Sequence, residues 1–379
     1  MSRRLLMVVT EDWYFRQHWQ AQAEAAARAG WDVAVATRIN APEHAAAITA
    51  AGLRLVPLAM NRRSLNPLRE LGAVGELVRL YRREQPDLIH HVALKPVLYG
   101  SLAARWAGVP HWLNGLPGLG YVYASDEPKA RLLRPLIGGL FRLLLNHTCS
   151  RVLLQNHDDA KFFAAGIVAP ERVHCVRGVG VDIQRYAPVP EPPGPPLAVL
   201  AARMLWEKGV AELVEAARML RSRNVPLRIA LVGGPDPGNP RSVPEEVLRG
   251  WQAEGLVEWW GLRSDMPEVW RQASIAVLPT TYREGLPTVL LEAAATGRPL
   301  IATDMPGCRE VVRPGETGLL VPPGDAVALA EALATLAGDA ALRARQGAAA
   351  RRAAETEFAV PVVTAQVLDL YRQMMGAEP

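Results

Sequence analysis

Two carboxylates eight positions apart stand out in this sequence as candidates for chemistry. Glu284 and Glu292 lie in the segment YREGLPTVLLEAAATGRP, residues 282–299. Pro287 and the apolar stretch after it predict a helix over about 287–296. We therefore expect Glu284 in a loop beside the N-terminus of that helix, and Glu292 on the helix itself.

The start of this helix adds backbone donors to the two carboxylates. Unpaired N–H groups are expected at Gly285, Leu286 and Thr288, and with the helix dipole they form a site for an anion such as phosphate. A carboxylate can accept hydrogen bonds from both hydroxyls of a diol. The segment thus predicts a site for a phosphorylated sugar. Taken alone, the two residues would better fit a helix-capping acid and a solvated Glu, but the surrounding GLP, LLEA and GRP favour the sugar site.

Two cations occur in a second strand-to-helix loop, within LAVLAARMLWEKGV at residues 197–210. The predicted strand runs out at Arg203, and Lys208 precedes a helix that starts after Gly209. Two cations and a helix N-terminus can neutralise a diphosphate leaving group without a metal ion. The sequence holds no Asp-x-Asp triplet, so we expect neither a metal nor a cofactor.

Short apolar runs alternate with helical stretches along the whole chain, which is typical of β–α units. Such units form doubly wound parallel α/β sheets through right-handed crossovers. In the first half we predict strands over 5–10, 31–37, 53–58, 87–92, 109–115, 151–156 and 171–178, and helices over about 16–29, 67–84, 96–107 and 132–149. In the second half we predict strands over 197–204, 227–234, 257–261, 274–280, 299–304 and 318–324, and helices over about 209–222, 244–254, 265–272, 287–296, 325–336 and 339–355.

A proline-rich segment divides the two halves. PVPEPPGPP, residues 188–196, has six prolines in nine positions and is predicted to be a linker. The domains are then 1–187 and 197–357, with a last helix over about 358–376 that could pack back on the first domain. Ligands of parallel sheets bind at the carboxyl ends of the strands, so we expect one cleft between two facing domains.

Composition excludes several classes of protein. With 379 residues, 50% hydrophobic and 21% charged, the chain suits two globular domains. Three cysteines without a CxxC spacing predict neither a disulfide framework nor a zinc site. The first apolar run is too short for a signal peptide, and no run is long enough to span a membrane, so we expect a cytoplasmic protein.

Residues 1–190 carry 23 Lys and Arg against 15 Asp and Glu, whereas the remainder carries 19 against 23. The first half therefore suits an anionic partner.

Several segments together resemble a known family. RMLWEKG, LVGG, GLRSDMPEVW and EGLPTVLLEAAATGRP, in this order, resemble the C-terminal half of retaining GT-B glycosyltransferases of family 4. TEDWYFRQHW, HHVALKPVLYGSLAAR and NGLPGLGYVY resemble the subgroup that extends bacterial capsule, O-antigen and undecaprenyl-diphosphate-linked oligosaccharides. The resemblance implies two Rossmann-like domains facing across a cleft. It also implies transfer of a hexose or HexNAc from a UDP-sugar to a membrane-anchored glycan acceptor, with retention and without metal.

The resemblance assigns roles to matching residues of the second half. Glu284 would contact the donor sugar, Glu292 the ribose hydroxyls, and Arg203 with Lys208 the diphosphate. Backbone groups near Gly285 and Leu286 would reach the sugar and phosphate. The residues that would border the base are Gly233, Leu262 and Arg263.

The first half departs from the usual family pattern. TEDWYF stands where many relatives carry a Gly-Gly loop, and Asn114-Gly115 stands where many carry a His. Lys95, at the start of a predicted helix, suggests binding of an acceptor phosphate. The other acceptor-side candidates are Phe15, Arg16, His91 and Asn114. The alternatives are an aromatic packed on the domain and a histidine bonded to backbone.

The segment DEPKARLLRPLIGGLFRLLLNH, residues 126–147, predicts an amphipathic helix. Its basic residues Lys129, Arg131, Arg134 and Arg142 could reach anionic lipid, and its leucines could enter the interface. The predicted apolar face comprises Leu132, Leu133, Leu136, Ile137, Leu140, Leu144 and Leu145. The alternative is an ordinary helix whose leucines are core. We expect a peripheral protein on the inner face of the membrane.

Three other functions remain open from the sequence. A nucleotide-sugar epimerase and a transferase with a soluble acceptor could use the same two-domain architecture. A two-domain binding protein without turnover would leave Glu284 and Lys208 without a role. Nucleic acid is not expected as a partner, because the sequence contains no recognised nucleic-acid-binding module.

Overall fold

The computed structural model describes residues 2–60, 67–119, 123 and 128–376. The chain divides into two compact units. The first comprises Met1–Val179 with Val360–Pro379, and the second comprises Gly180–Ala359. Each unit is built on a parallel sheet with crossover helices, so the doubly wound α/β fold predicted from the sequence is confirmed in both.

Seven described strands form the sheet of the first unit, in the order β3-β2-β1-β4-β5-β6-β7. Every pair in this sheet is parallel, and β4 and β5 are buried along their whole length, as strands covered by helices on both faces must be. The strands are β1 (Arg4–Glu11), β2 (Asp32–Arg38), β3 (Arg54–Pro57), β4 (Leu88–Val92), β5 (Trp112–Leu116), β6 (Ser150–Leu154) and β7 (Val173–Cys175).

The helices described between these strands cover the first sheet. They are α1 (Asp12–His18), α2 (Gln20–Arg28), α3 (Pro42–Ala50), α4 (Pro67–Glu84), α5 (Leu94–Ala107), α6 (Pro128–Leu145) and α7 (His157–Ala164). The helix predicted over 16–29 is two helices, separated at Trp19, whose φ of −126° is not helical and whose side chain is buried. Helices α3 and α7 were not predicted, since Ala-rich and Asp-rich stretches carry a weak apolar period.

The second unit repeats the design with six described strands in the order β10-β9-β8-β11-β12-β13. The strands are β8 (Leu197–Ala201), β9 (Arg228–Val232), β10 (Glu258–Gly261), β11 (Ile275–Leu278), β12 (Leu300–Thr303) and β13 (Gly318–Val321). The helices are α8 (Val210–Ser222), α9 (Glu245–Ala253), α10 (Met266–Gln272), α11 (Thr288–Ala295), α12 (Cys308–Val311), α13 (Ala326–Gly338) and α14 (Ala340–Thr356). These bounds follow the sequence prediction closely, except that α12 was missed.

A final helix, α15 (Val360–Met374), belongs to the first unit. Val363, Val367 and Tyr371 lie in the same apolar cluster as the side chains of β1 and α2. The Tyr371 hydroxyl also hydrogen-bonds with Nδ1 of buried His90, at 2.7 Å. The first unit is thus assembled from two separate stretches of chain.

The division between units differs from the predicted linker. It lies between Val179 and Gly180, and the proline-rich segment 188–196 belongs to the second unit. There the buried Arg343 guanidinium binds the Glu191 carboxylate, with Nε 3.0 Å from Oε1, and Arg298 donates to the carbonyl of Pro190. Because prolines carry no N–H donor, the segment lies against the domain without ladder hydrogen bonds. Proline content alone therefore misplaced the boundaries at 187 and 197.

Helix α6 has one buried and one exposed apolar face. Phe141 and Leu145 lie in the core of the first unit. Five leucines are between 37% and 79% exposed, namely Leu132, Leu133, Leu136, Leu140 and Leu143. This corrects the predicted exposed face, because Leu144 and Leu145 are buried and Leu143 takes their place. Residues 126 and 127 of the predicted segment lie outside the described residues. No described helix has both the length and the mean hydropathy that spanning a bilayer requires.

Candidate active site

Lys208 and Glu284 meet at the carboxyl edge of the second sheet. Lys208 follows β8 and Glu284 follows β11, and these neighbouring strands flank the point at which the strand order reverses. Lys208 Nζ binds Glu284 Oε1, and the two side chains are only 17% and 14% exposed. Parallel sheets bind their ligands at such reversal points, beyond the carboxyl ends of the strands.

A glycine brings the two loops close enough for this contact. Gly209, which ends the short 3-10 helix Trp206–Lys208, has φ +75°, and a Cβ on it would lie 1.9 Å from the carbonyl oxygen of Pro279. No other residue fits that approach. The Glu207 carbonyl then accepts hydrogen bonds from the Thr280 hydroxyl at 3.0 Å and the Thr281 N–H at 2.9 Å. These contacts join the loop after β8 to the loop after β11.

Glu284 is also held from the other side. Thr280 Oγ1 lies 3.2 Å from Glu284 Oε1, so its one proton is shared between this carboxylate and the Glu207 carbonyl. Gly307, in the loop after β12, has φ +83°, and a Cβ there would lie 2.7 Å and 2.5 Å from the carbonyl oxygens of Glu284 and Gly285. Sequence reasoning missed Gly307, although its place just after a predicted strand of the same sheet was a usable signal.

The start of α11 supplies two of the three expected backbone donors. Pro287 is the N-cap and the helix begins at Thr288. Within the described residues, the N–H groups of Leu286 and Thr288 donate to no acceptor. The loop from Glu284 to Thr288 therefore places a carboxylate and unpaired N–H groups at one helix N-terminus, which favours binding of an anion.

Glu292 lies on α11 itself, and two aromatic residues fix its side chain. Its Oε2 accepts a hydrogen bond from Trp270 Nε1 at 3.1 Å, and the Tyr186 hydroxyl also interacts with this carboxylate. Burial raises the pKa of Glu292, and these donors offset part of that rise. Burial, with the charge of Glu292, likewise raises the pKa of Tyr186. The carboxylate is thus held in one orientation.

Arg203 pairs with a different carboxylate. Its guanidinium is mostly exposed and pairs with Asp236, with Nη1 2.9 Å from Oδ2. The sequence placed Arg203 and Lys208 together because both follow β8, and only Lys208 pairs with Glu284. The diphosphate role of Arg203 stays a prediction.

The residues predicted around the base follow β9 and β10, at the same sheet edge. Gly233 has φ +142°, and a Cβ on it would lie 1.8 Å from the carbonyl oxygen of Ala202, so the ends of β8 and β9 need this glycine. Leu262 is exposed, and Arg263 binds Asp265, with Nε 2.7 Å from Oδ1.

Three acceptor-side predictions are corrected by burial. Phe15, His91 and Asn114 are fully buried, so their side chains are not available to a ligand. His91 Nε2 lies 3.0 Å from the Tyr81 hydroxyl, and its Nδ1 lies 2.9 Å from Asn114 Oδ1. Burial lowers the pKa of His91 to about 4. This polar network stabilises the first unit, because buried polar groups need partners.

The other two acceptor-side residues lie nearer the surface. Arg16 on α1 is exposed. Lys95 binds Glu70, with Nζ 3.0 Å from Oε2, and both side chains are 17% exposed. Lys95 therefore already has an anionic partner, which a phosphate would have to join or displace.

Among the described residues, no group of three or more His, Cys, Asp and Glu side chains could hold a metal ion. Metal independence stays a prediction for the whole chain.

Comparisons with known proteins cover both units. Residues 4–156 match the family described as Glycosyl transferase 4-like, and residues 195–339 match Glycosyl transferases group 1. The chain is 30% identical to N,N'-diacetylbacillosaminyl-diphospho-undecaprenol alpha-1,3-N-acetylgalactosaminyltransferase of Campylobacter jejuni, over 77% of this chain and 78% of that protein. It is 24% identical to UDP-Gal:alpha-D-GlcNAc-diphosphoundecaprenol alpha-1,3-galactosyltransferase of Escherichia coli, over 74% of each.

A solved structure extends the likeness to the whole fold. Sucrose-phosphate synthase from Thermosynechococcus elongatus superposes with a TM-score of 0.81 at 22% identity, covering 99% of this chain and 100% of that one. The regions matched by the family models contain the Lys208 and Glu284 loops and every described strand of the two sheets except β7. With its two parallel-sheet domains and its sequence likeness on both, the chain belongs to glycosyltransferase family 4 and is a glycosyltransferase of the GT-B fold.

Proposed function

We propose that the protein transfers a hexose or N-acetylhexosamine from a UDP-sugar to a polyprenyl-diphosphate-linked glycan, with retention at the anomeric carbon. The reaction would serve assembly of a cell-surface polysaccharide or a glycoprotein glycan. The observation that carries the proposal is the Lys208–Glu284 pair at the reversal point of the second sheet, beside the N-terminus of α11. The two relatives, whose names include diphospho-undecaprenol-linked substrates, support the acceptor class.

Each side chain of this site has a proposed task toward the donor. Lys208 and the N–H groups of Leu286 and Thr288 neutralise the diphosphate, and the exposed Arg203 adds a second cation. Glu284 accepts hydrogen bonds from hydroxyls of the transferred sugar. Glu292, held by Trp270, accepts them from the ribose.

The proposed reaction exchanges one bond at the anomeric carbon for another. The bond from C1 to the phosphate oxygen breaks, and UDP leaves with the bonding electron pair. The acceptor hydroxyl oxygen bonds to C1 on the same face and releases its proton, so the products are the extended glycan, UDP and one proton. Lys208 stabilises the charge that grows on the leaving diphosphate, which is where a preorganised cation lowers the barrier most.

The charge of the leaving group is the reason to propose a metal-independent reaction. Lys208 and Arg203 follow β8, and the N–H groups of Leu286 and Thr288 lie at the start of α11, so all four belong to the sheet edge where we propose that the diphosphate binds. These groups supply the positive charge that a divalent cation supplies in other transferases.

We further propose that the protein binds peripherally to the inner face of a membrane through α6. The five exposed leucines of this helix form an apolar face, and Arg131, Arg134 and Arg142 lie on the same helix. An apolar face with basic neighbours suits a helix in the interface of an anionic bilayer. A membrane site would bring the enzyme to a lipid-linked acceptor.

A two-step assay tests the proposed function. Thermal unfolding is measured with a panel of nucleotide sugars, since a ligand at about 100 times its dissociation constant stabilises by roughly 2.7 kcal/mol. The stabilising donor is then incubated with a diphosphate-linked glycan, with a soluble sugar acceptor and with no acceptor, each with and without EDTA. We expect transfer only to the diphosphate-linked glycan and full activity in EDTA. Conversion of the donor without acceptor would indicate an epimerase, and loss in EDTA that magnesium or manganese restores would contradict metal independence.

A further inference from the structure

A cavity lies in the first unit, whereas the Lys208–Glu284 pair belongs to the second. It measures about 610 Å³ and is bordered by one face of α4 and by residues at the ends of β2 and β3. Arg38, the last residue of β2, lines it together with Arg69 and Arg79 of α4. Neither the family likeness nor the names of the relatives assign these arginines a role.

The carboxylates at this cavity are already engaged. Glu70 accepts hydrogen bonds from Lys95, at 3.1 Å to Oε1 and 3.0 Å to Oε2, and Glu76 Oε1 accepts from the Ala59 N–H at 2.9 Å. Together with Lys95, the three arginines outnumber the two carboxylates. The cavity therefore has an excess of positive charge.

Two of the guanidinium groups retain unused donors. The Arg38 guanidinium makes no hydrogen bond or ion pair with any described residue, and Arg79 uses only Nε, which donates to the Gly75 carbonyl at 3.3 Å. A guanidinium presents five N–H donors in a planar fork, which matches the oxygens of phosphate in a bidentate manner. Diphosphate, with several such oxygens and a charge of at least two, satisfies two or three of these forks at once.

The position of the cavity also favours a ligand. The carboxyl ends of parallel strands are where α/β sheets bind ligands, and Arg38 stands at the end of β2. Gly72 of α4 leaves room there, since a Cβ built on it would meet no atom within 4 Å. The cavity is therefore open to a group larger than water.

We propose that this cavity binds the diphosphate group of the lipid-linked acceptor, through Arg38, Arg69 and Arg79. The inference rests on the proposed function for the acceptor class and adds the site that recognises it. Donor and acceptor diphosphates would then be bound by separate units. Phosphate head groups of a bilayer share the same chemistry, and the experiment separates the two sources.

Binding of inorganic pyrophosphate and farnesyl diphosphate is measured by calorimetry on the whole protein with UDP at saturation, so that the donor site is filled. Arg38→Gln and Arg79→Gln should each weaken both ligands at least tenfold. Gly72→Phe should do the same by filling the cavity. Gly75→Phe is the matched control, because Gly75 is also open, lies on the same helix and does not line the cavity. Arg28→Gln is the control for loss of one surface arginine.

Transfer kinetics and vesicle binding complete the test. The arginine variants should raise the KM for a diphosphate-linked acceptor at least tenfold and leave the dissociation constant of UDP unchanged. Unchanged binding of both diphosphates in Arg38→Gln and Arg79→Gln would overturn the proposal. Loss of phosphatidylglycerol-vesicle binding alone would also overturn it, in favour of lipid head groups. If the proposed function itself is wrong, the result is different: the wild-type enzyme transfers sugar to no diphosphate-linked glycan.

Discussion

At the scale of single residues, Lys208 and Glu284 form an ion pair that is largely shielded from water. Shielding two charges costs desolvation energy, which their attraction offsets only in part. Removing either partner leaves the other charge in a poorly solvated place. Such a pair adds little to stability, and its position at a reversal point of the sheet is the reason for the role in binding and catalysis proposed above.

Lys208→Ala should lower turnover by roughly 10²-fold or more, the size of effect seen when one preorganised charge-stabilising donor is lost. Arg203→Ala should act in the same direction, and both should weaken UDP binding. The measurements are kcat with the UDP-sugar and the dissociation constant of UDP. Lys161→Ala, at an exposed lysine of α7, serves as the control. Wild-type turnover in either variant would remove that residue from the diphosphate site.

Substitution of Glu284 and of Glu292 should affect different constants, kcat in one case and the dissociation constant of UDP in the other. Glu284→Gln should lower kcat more than it weakens UDP, because its proposed contact is to the transferred sugar. Glu292→Gln should weaken UDP itself through the ribose. Parallel measurement of kcat and of UDP affinity decides the assignment, and the opposite pattern would mean that the two roles are exchanged.

Burial of Glu292 also predicts a pH dependence. Its pKa is raised, so just above the ordinary Glu pKa the residue is protonated in the folded protein and ionised in the unfolded chain. The stability it contributes is therefore lost as pH rises through that window. The charged carboxylate is the better acceptor for ribose hydroxyls, so UDP affinity should increase over the same range. UDP affinity measured from about pH 5 to pH 8 should show this rise in the wild type and not in Glu292→Gln. Ionisation of UDP itself affects both proteins equally, so the difference between them reports Glu292.

At the scale of elements, two glycines determine where the loops that carry Lys208 and Glu284 lie. Gly209 lets the loop after β8 approach Pro279, and Gly307 lets the loop after β12 approach Glu284. Both have positive φ, which other residues adopt only at a cost. Loop geometry at this sheet edge therefore depends on glycines, which have no side chain, as much as on charged residues.

Gly209→Ala should lower the free energy of unfolding by more than about 1 kcal/mol, because Ala is strained at positive φ and its Cβ would collide with Pro279. Activity should fall as well, since Lys208 is adjacent. Gly250→Ala is the matched control. Gly250 lies inside α9 with open space around it, so Ala should be neutral or should stabilise by about 0.5 to 1 kcal/mol. Denaturant unfolding of both variants checks this, and equal stabilities would contradict the steric argument.

The sequence predicted the elements well where the apolar period was strong. Helix α4 was predicted at its observed bounds, and the loops carrying Lys208 and Glu284 were placed at one sheet edge. It could not indicate that His91 and Asn114 face inward, because both faces of a strand in a parallel sheet are buried and give no alternation. Nor could it pair Arg203 with Asp236, since that contact depends on the path of the loop after β9.

At the scale of the whole molecule, charge and exposed apolar surface both concentrate in the first half of the chain. Residues 1–190 hold the excess of basic residues, and α6 with its exposed leucines lies among them. Water-exposed leucines in such number are costly on a surface that never meets an apolar partner. The combination supports the proposed membrane contact.

The protein should sediment with vesicles that contain anionic lipid, and the bound fraction should fall with salt, because each basic residue near the surface contributes about 1 kcal/mol. Replacing Arg131, Arg134 and Arg142 by Glu should weaken binding strongly. Leu132→Ser with Leu136→Ser should weaken it at high salt too, where apolar contact dominates. The control is Leu144→Ser at a buried leucine, which should lower stability instead. No vesicle binding at low ionic strength would contradict the membrane proposal.

Helix α15 has a consequence for how the chain is made. Val181 and Ala359 form a parallel bridge, and the Val181 N–H donates to the Phe358 carbonyl at 2.8 Å. The first and last residues of the second unit therefore lie side by side. That unit is contiguous and can complete its fold as soon as residue 359 has left the ribosome. The first unit, although most of it is synthesised earlier, must wait for Tyr371 to reach His90. During synthesis the second unit is therefore finished first, and the first unit, with the basic cavity, is completed last.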